Sequence, residues 1–428
     1  MNSGVAVVGE TRAPSLGVSV GWTLAGYIAY MGCQWAMLVV VARLGSPETV
    51  GQFALGLALS APVILFTNLG LRRLQVADAA GRFTFADYFG LRLLTNVVAL
   101  GTVAALAIGS GYSRATSGVI LAMGLAKAVE AASDAVHGVL QKAERMDLIA
   151  GALVLRGITG VAGIAGGMIA THRLSVGLLA MAAGWTAVLC LYDLPRAARL
   201  LPDGDLWPRW RAAVLGRLTW RALPLGLVTT IGALMATVPC VMIEKYRGAA
   251  ELGIYTALAY AFSASHRIMT AMSEAASARL ARHYAAGRRA AFLGVLSRLL
   301  FLAAAGGLAS VAIAALAGRP ILTLVYGPVY AGRADLLVDL MIAATAAGLG
   351  VVLDYGMTAM GRLKIQPLLT GGALVVLAVL CARLIPTMEL RGAVLALGSV
   401  AVLQAAASFT VVARAIASFV PAAERAAA

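Results

Sequence analysis

Apolar runs of about 20 residues, the length a helix needs to cross a hydrocarbon core of about 30 Å, recur along the whole chain and leave few ways to fold it. They fall at 18–41, 48–70, 88–109, 116–138, 148–170, 175–194, 223–243, 252–275, 292–317, 335–358, 367–385 and 392–413. Runs of this length match helices, not the alternating strands of about 10 residues that build an outer-membrane barrel. Hydrophobic residues make up 61% of the 428 and charged residues 12%, with a mean hydropathy of +0.88. A soluble domain is nearer half apolar and a quarter charged, so lipid is the solvent for most of this chain. The expected fold is all-α and integral to a membrane: about 12 transmembrane helices in two six-helix lobes around a central cavity.

The longest interruption is Arg196–Arg221, near the midpoint. It carries Arg196, Arg199, Arg209, Arg211, Arg217 and Arg221 against Asp203 and Asp205. We read 196–221 as a cytoplasmic basic linker between an N-lobe over 17–195 and a C-lobe over 222–414, with cytoplasmic tails at 1–16 and 415–428. With the N-terminus inside, 20 Lys and Arg fall on inner segments and 9 on outer loops, which places both termini in the cytoplasm. The cations left inside spans are Arg92, Lys127, Arg156, Arg267 and Arg298. The net charge of +15 is therefore topology and not a nucleic-acid face. Cys33, Cys190, Cys240 and Cys381 lie in or beside apolar runs without CxxC spacing and read as small apolar residues. The first apolar run is too long for a signal-peptide core and reads as a retained span.

An internal repeat supports two halves. "VGQFALGLAL" (Val50–Leu59) lines up with "LGIYTALAYA" (Leu252–Ala261) at an offset of 202, each opening the second span of its half. With an even number of spans per half, both copies enter the membrane in the same direction, and a substrate path lies at their interface.

Ionisable residues inside spans mark candidate sites, because each costs about 2.5–3.5 kcal/mol on insertion scales unless it faces a cavity or a partner. In the fourth span, Lys127, Glu130, Asp134 and His137 fall within an arc of about 80° on one helix face. This face is either a polar cavity wall with a titrating carboxylate, or a cluster in which Lys127 neutralises Glu130 and Asp134 while His137 sits near the cytoplasmic edge. In the eighth span Arg267, Thr270 and Glu274 share a face beside His266, and Arg267 is too deep to snorkel easily. Arg156 and Arg298 lie in the first thirds of the fifth and ninth spans, where each either lines the cavity or snorkels. Arg92 is nearer an edge and is expected to snorkel. Gln34 lines the path or bonds a neighbouring helix. Asp335, Asp339 and Asp354 flank the tenth span; Asp339 is matched to an arginine of its own lobe and Asp354 to the interface. The substrate cavity is thus expected at Arg267, Lys127, Arg156, Arg298 and Gln34, with coupling or charge balance at Asp134, Glu130, Glu274 and His266.

There is no GxxxxGK[ST] phosphate loop, no HExxH and no nucleotide-binding region, so an ATP-driven pump within one chain is excluded. The outer loops are short, which argues against catalysis by a lipid-linked glycosyltransferase. Several cations in one low-dielectric cavity suit an anionic substrate, because Arg forks and Lys point charges pair with phosphate oxygens. A lipid-linked phosphate or pyrophosphate sugar is such a substrate.

Four segments resemble the polysaccharide transporter family of the multidrug/oligosaccharidyl-lipid/polysaccharide (MOP) flippase superfamily. They are "VVVARLGSPETVGQFALGLALSAPVILFTNLGLRR" (Val39–Arg73), "EKYRGAAELGIYTALAY" (Glu244–Tyr260), "LTLVYGPVYAGRADLL" (Leu322–Leu337) and "RLIPTMELRGAVLAL" (Arg383–Leu397). The resemblance runs over nearly the whole chain. It implies two six-helix lobes around a V-shaped basic cavity, and alternating-access movement of undecaprenyl-pyrophosphate-linked oligosaccharides across the bacterial cytoplasmic membrane. It places Arg267 at the family's pyrophosphate arginine. The first span has Gln34 and no cation, a departure from the lipid II flippase pattern. Proton or sodium coupling through carboxylates is implied for some members, with Asp134 and Glu130 as candidates here.

The leading expectation is a non-enzymatic flippase serving O-antigen, capsule or exopolysaccharide synthesis, with no cofactor. Its expected partners are the lipid-linked oligosaccharide, membrane lipid, and a polysaccharide polymerase with other biosynthesis proteins. A multidrug or organic-cation antiporter on the same fold is the first alternative, and an excess of unpaired acids would favour it. A membrane glycosyltransferase or polymerase is the second; it would need a larger outer loop and positioned carboxylates.

Overall fold

The computed structural model describes residues 16–78, 81–201, 206–362 and 365–417. Most of both tails, with Arg12 and Arg425, lies outside the described residues, as do Asp203 and Asp205 of the basic stretch and Lys364. Every regular element among the described residues is helical. The long ones are α1 (Leu16–Leu44), α2 (Pro47–Asn68), α4 (Phe85–Gly109), α5 (Arg114–Lys142), α6 (Met146–Thr171) and α7 (Leu174–Val188). After Arg211 follow α9 (Ala212–Arg247), α10 (Ala249–Ala285), α11 (Arg289–Val325), α13 (Ala334–Ala359) and α14 (Gln366–Ala417). Short pieces α3 (Leu71–Ala77), α8 (Leu194–Ala198) and α12 (Pro328–Ala331) flank them, and a π turn, Leu189–Asp193, joins α7 to α8. Each apolar run of the sequence falls on these helices, the run 175–194 passing from α7 through the π turn to the start of α8. The last two share α14, which breaks at Glu389 (φ 57°, ψ −137°).

Among the described residues, eight helices are long and apolar enough to cross a membrane, nine when α9 is included. Neither α5 nor α10 is among them, and these two carry the clustered ionisable residues picked out above. The chain is thus a multi-pass membrane protein whose most polar helices are the ones singled out as candidate sites.

Local chemistry sets the breaks. Ser46 caps α2 by accepting from the Thr49 amide, with Pro47 in the first turn where its missing N–H costs nothing. At the far end Leu69 (φ 52°) and Gly70 (φ 59°) are both left-handed, which stops α2 and turns the chain into α3. Thr84 and Asp87 form a reciprocal capping box at the start of α4. The π turn has a chemical cause in Pro195, which lacks an N–H and whose ring clashes with a carbonyl four residues back.

The chain divides into two compact units, Met1–Ala233 and Leu234–Ala428; the division falls within α9, which begins at Ala212 and so takes in the end of the basic stretch. In the first unit α5 is central and packs against α2, α3, α4 and α7, while α1 lies on α6 and α6 on α7. In the second unit α13 takes that position, against α10, α11 and α14. Phe292, Leu296, Leu353, Met357 and Val412 form the core around it. The proposed repeat has a structural counterpart. Val50, Gly51, Phe53, Leu55 and Gly56 on α2 are buried, and so are Leu252, Gly253, Tyr255, Ala257 and Leu258 at the equivalent positions of α10.

Lipid tails are as apolar as leucine, so close packing of small residues holds such helices together. The α6–α7 contact does this with glycine: a Cβ on Gly167 would lie 2.5 Å from the Gly177 Cα, and one on Gly163 2.6 Å from the Met181 amide nitrogen.

Candidate functional site

The fourth-span residues share one helix face, but the structure distributes them among three different environments. The first is a polar cluster where α1, α5, α6 and α7 converge. Lys127 Nζ lies 2.8 Å from Glu130 Oε2 one turn along α5. The other carboxylate oxygen accepts the hydroxyl of Tyr30 on α1 at 2.7 Å. Gln34 donates to that same hydroxyl at 2.8 Å, so it bonds within its own helix and not to a neighbour. Arg156 on α6 is buried at 3% exposure, with its guanidinium carbon 6.0 Å from the Tyr30 ring centre. It does not snorkel. Its Nε and one terminal nitrogen have no hydrogen-bond partner among the described residues. Trp185 on α7 closes the cluster: its Nε1–H donates to the Arg156 carbonyl at 2.9 Å, and Lys127 stands 5.9 Å over its ring.

The second environment belongs to Asp134. It pairs with Arg72 of α3 at 3.1 Å and lies 3.9 Å from Arg92 of α4. Arg72 also donates to Gln141 at 2.9 Å. The expected Lys127–Asp134 pairing is therefore replaced by two arginines from other helices. The expected snorkelling of Arg92 is also corrected: its side chain is fully buried, held by Asn68 and facing Asp134. It stays inside because its partners on α2 and α5 stand within reach of the buried guanidinium.

The third environment holds His137, expected near an edge but 1% exposed. Its Nε2 is 3.4 Å from Oδ1 of Asp193, the last residue of the π turn, which is 0% exposed.

In the second unit Arg267, His266 and Glu274 on α10 are all exposed, and so is Arg298 on α11. Arg267 is the central residue of α10 and has no ion pair among the described residues, Glu274 included. Thr270 folds back onto the His266 carbonyl at 2.9 Å. Asp354 on α13, expected at the interface, is half-buried and accepts from Ser408 of α14 at 2.7 Å. Asp335, not Asp339, takes the arginine partner, Arg391, at 2.7 Å. A cavity of about 570 Å³ lies between α13 and α14, lined by Asp339, Arg391, Ser399 and aliphatic side chains. No group of residues that could hold a metal ion is present among the described residues, and the cysteines there are free.

Tyr30, Trp185 and Asp193 are the members that sequence reasoning missed. Tyr30 sits one turn before Gln34 on the same helix, which was a usable signal. Asp193 lay at the margin of its apolar run and gave none.

No family model matches the chain. It is 23% identical over 370 residues to the capsular polysaccharide biosynthesis protein CapF of Staphylococcus aureus, covering 85% of this chain and 90% of that one. The fold is similar to an inward-facing multidrug resistance MATE transporter of the MOP superfamily, with a TM-score of 0.71 at 14% identity, over 93% of this chain and 98% of that one. It is also similar to a MOP superfamily transporter from Pyrococcus furiosus, with a TM-score of 0.63 at 16% identity, over 94% and 95% of the two chains. The chain therefore has the two-lobed, all-helical fold of MOP superfamily transporters. The sequence resemblance to the polysaccharide transporter family agrees with this fold and with the name of the staphylococcal relative.

Proposed function

We propose that this protein is a secondary-type flippase that moves an undecaprenyl-pyrophosphate-linked oligosaccharide from the inner to the outer leaflet of a bacterial cytoplasmic membrane by alternating access. The product serves O-antigen, capsule or exopolysaccharide synthesis. Both termini are cytoplasmic on this reading, the basic stretch 196–221 links an N-lobe and a C-lobe, and a polysaccharide polymerase is the expected downstream partner.

The observation that carries the reading is Arg267, exposed at the centre of α10 with no ion pair among the described residues. A guanidinium at that depth costs about 2.5–3.5 kcal/mol on insertion scales unless it meets water or a counter-charge. Pyrophosphate oxygens supply that counter-charge in the bidentate geometry that arginine favours. Arg298 is exposed, and Arg156 keeps guanidinium nitrogens without hydrogen-bond partners among the described residues, so both are further cations with donors to offer an anion. The staphylococcal relative's role in capsular polysaccharide biosynthesis points the same way.

A cation antiporter on this fold would need free acids. Glu130 is taken by Lys127 and Tyr30, and Asp134 by Arg72 and Arg92, so neither is available to a cationic drug.

The deciding experiment follows a fluorescent undecaprenyl-pyrophosphate oligosaccharide in proteoliposomes, comparing wild type with Arg267→Ala and Lys127→Ala. Flipping by wild type and its loss in a folded Arg267→Ala variant is the expected result. Expulsion of ethidium in exchange for protons, with the lipid left in place, would overturn it in favour of the antiporter.

A further inference from the structure

The substrate reading leaves the buried His137–Asp193 pair without a role. Asp193 is 0% exposed and neither of its carboxylate oxygens accepts a hydrogen bond among the described residues, although His137 Nε2 is 3.4 Å from Oδ1. An ionised carboxylate stripped of water and of donors is expensive, and a neutral imidazole does not compensate it. One added proton removes the cost. It either completes an imidazolium–carboxylate pair or makes the carboxyl neutral, so the dry pair holds one proton more than the wet one.

Three of the surrounding cations are already committed elsewhere. Arg72 of α3 is within electrostatic reach of His137 but is bound to Asp134 and Gln141. Arg92 of α4 is held by Asn68 and Asp134. Arg196 of α8 lies 3.4 Å over the Tyr192 ring and donates to the Tyr192 carbonyl. Arg156 of α6 is the other cation within electrostatic reach. Water is not far away: Lys142, exposed at the end of α5, lies about 7.5 Å along the helix from His137.

We propose that His137 and Asp193 form a proton-binding site, loaded while the π turn keeps the pair dry and emptied when water reaches it. On the transport reading above, this proton is the coupling ion. Asp134 and Glu130 are poor candidates for that role, since arginines and a lysine already neutralise them.

Two measurements test the site, on purified full-length protein. In nanodiscs, infrared difference spectra over an acid titration should contain a band from a carboxyl or imidazole in a dry environment, lost in Asp193→Asn and altered in His137→Gln. In proteoliposomes, a one-unit pH gradient should shift the leaflet distribution of the undecaprenyl-pyrophosphate oligosaccharide about tenfold per coupled proton. That shift should disappear in both variants, while flipping without a gradient persists and reports an intact fold. A wild type with no such band, or variants that keep the gradient response, would overturn the site. A wild type whose band disappears in Asp193→Asn but which moves no lipid-linked sugar upholds the proton site and overturns the flippase reading instead.

Discussion

The hydroxyl of Tyr30 on α1 donates to Glu130 on α5 at 2.7 Å, joining residues 100 apart in the chain. Because α1 packs chiefly against α6, this bond is a specific tie between the first helix and the central helix of its unit. Lys127 occupies the other oxygen of the same carboxylate at 2.8 Å, so the acid is shared between a neighbouring turn and a distant helix.

Tyr30→Phe should therefore remove one bond to a charged acceptor, worth about 1.5–3 kcal/mol, and leave the ion pair standing. Glu130→Gln should cost more, since it leaves Lys127 half-buried with no counter-charge. Unfolding of both variants in the same detergent checks the order. Equal losses would contradict the shared-carboxylate arrangement.

Gly167→Ala places a methyl group 2.5 Å from the Gly177 Cα, and a backbone atom cannot rotate aside as a side chain can. The helices α6 and α7 must separate, and the loss should reach about 1–3 kcal/mol, the usual cost of overpacking. Gly166→Ala, one residue away with nothing within 4 Å, is the control and should leave the unfolding midpoint nearly unchanged.

Glu389 makes ion pairs with Arg247 at 3.0 Å and Arg333 at 4.0 Å, yet its own backbone is strained at φ 57°, ψ −137°. Its side chain is 51% exposed, so these pairs are worth about 0–1 kcal/mol, less than the roughly 1–3 kcal/mol that such a backbone costs a non-glycine residue. Glu389→Gly should consequently stabilise the protein, whereas Glu389→Gln should change little. Thermal melts of the pair separate strain from charge; a destabilised glycine variant would show that the ion pairs dominate.

Asp78, in the loop after α3, accepts the Phe83 amide at 3.1 Å, and its backbone carbonyl accepts Lys142. Burial pushes its carboxyl up, but amide donors from Phe83 and Arg82 and the charges of Lys142 and Arg82 outweigh that and hold it below the usual carboxylate value. The folded value being depressed, the stability it contributes is fully present above the ordinary aspartate value of about 3.9 and is lost as pH falls through the lower folded value. Asp78→Asn should flatten the acid limb of the unfolding curve in that window. An unchanged limb would mean that the loop does not hold this carboxylate ionised.

Length and hydropathy were enough to place the long helices, since lipid demands long apolar runs and most of these helices supply them, α5 and α10 being the polar exceptions. Helix arithmetic also put Lys127, Glu130, Asp134 and His137 on one face of α5. What it could not supply was the rotation of the neighbouring helices, and that rotation separates the partners. Arg72 and Arg92 turn toward Asp134, Tyr30 toward Glu130, and Asp193 toward His137. Asp193 was the hardest to foresee because the π turn re-aims it, and the period of a regular helix does not describe that segment.

The matching burial of Val50–Leu59 and Leu252–Ala261 means that one packing solution serves in both halves. Phe53 and Tyr255 occupy equivalent buried positions and differ by a single oxygen, so an aromatic ring of one size fills the same place in each half. The charges have not been copied in this way. The first half ties Glu130 and Asp134 into local pairs, while the second leaves Arg267 and Arg298 exposed, so one packing scheme carries different charges in its two copies.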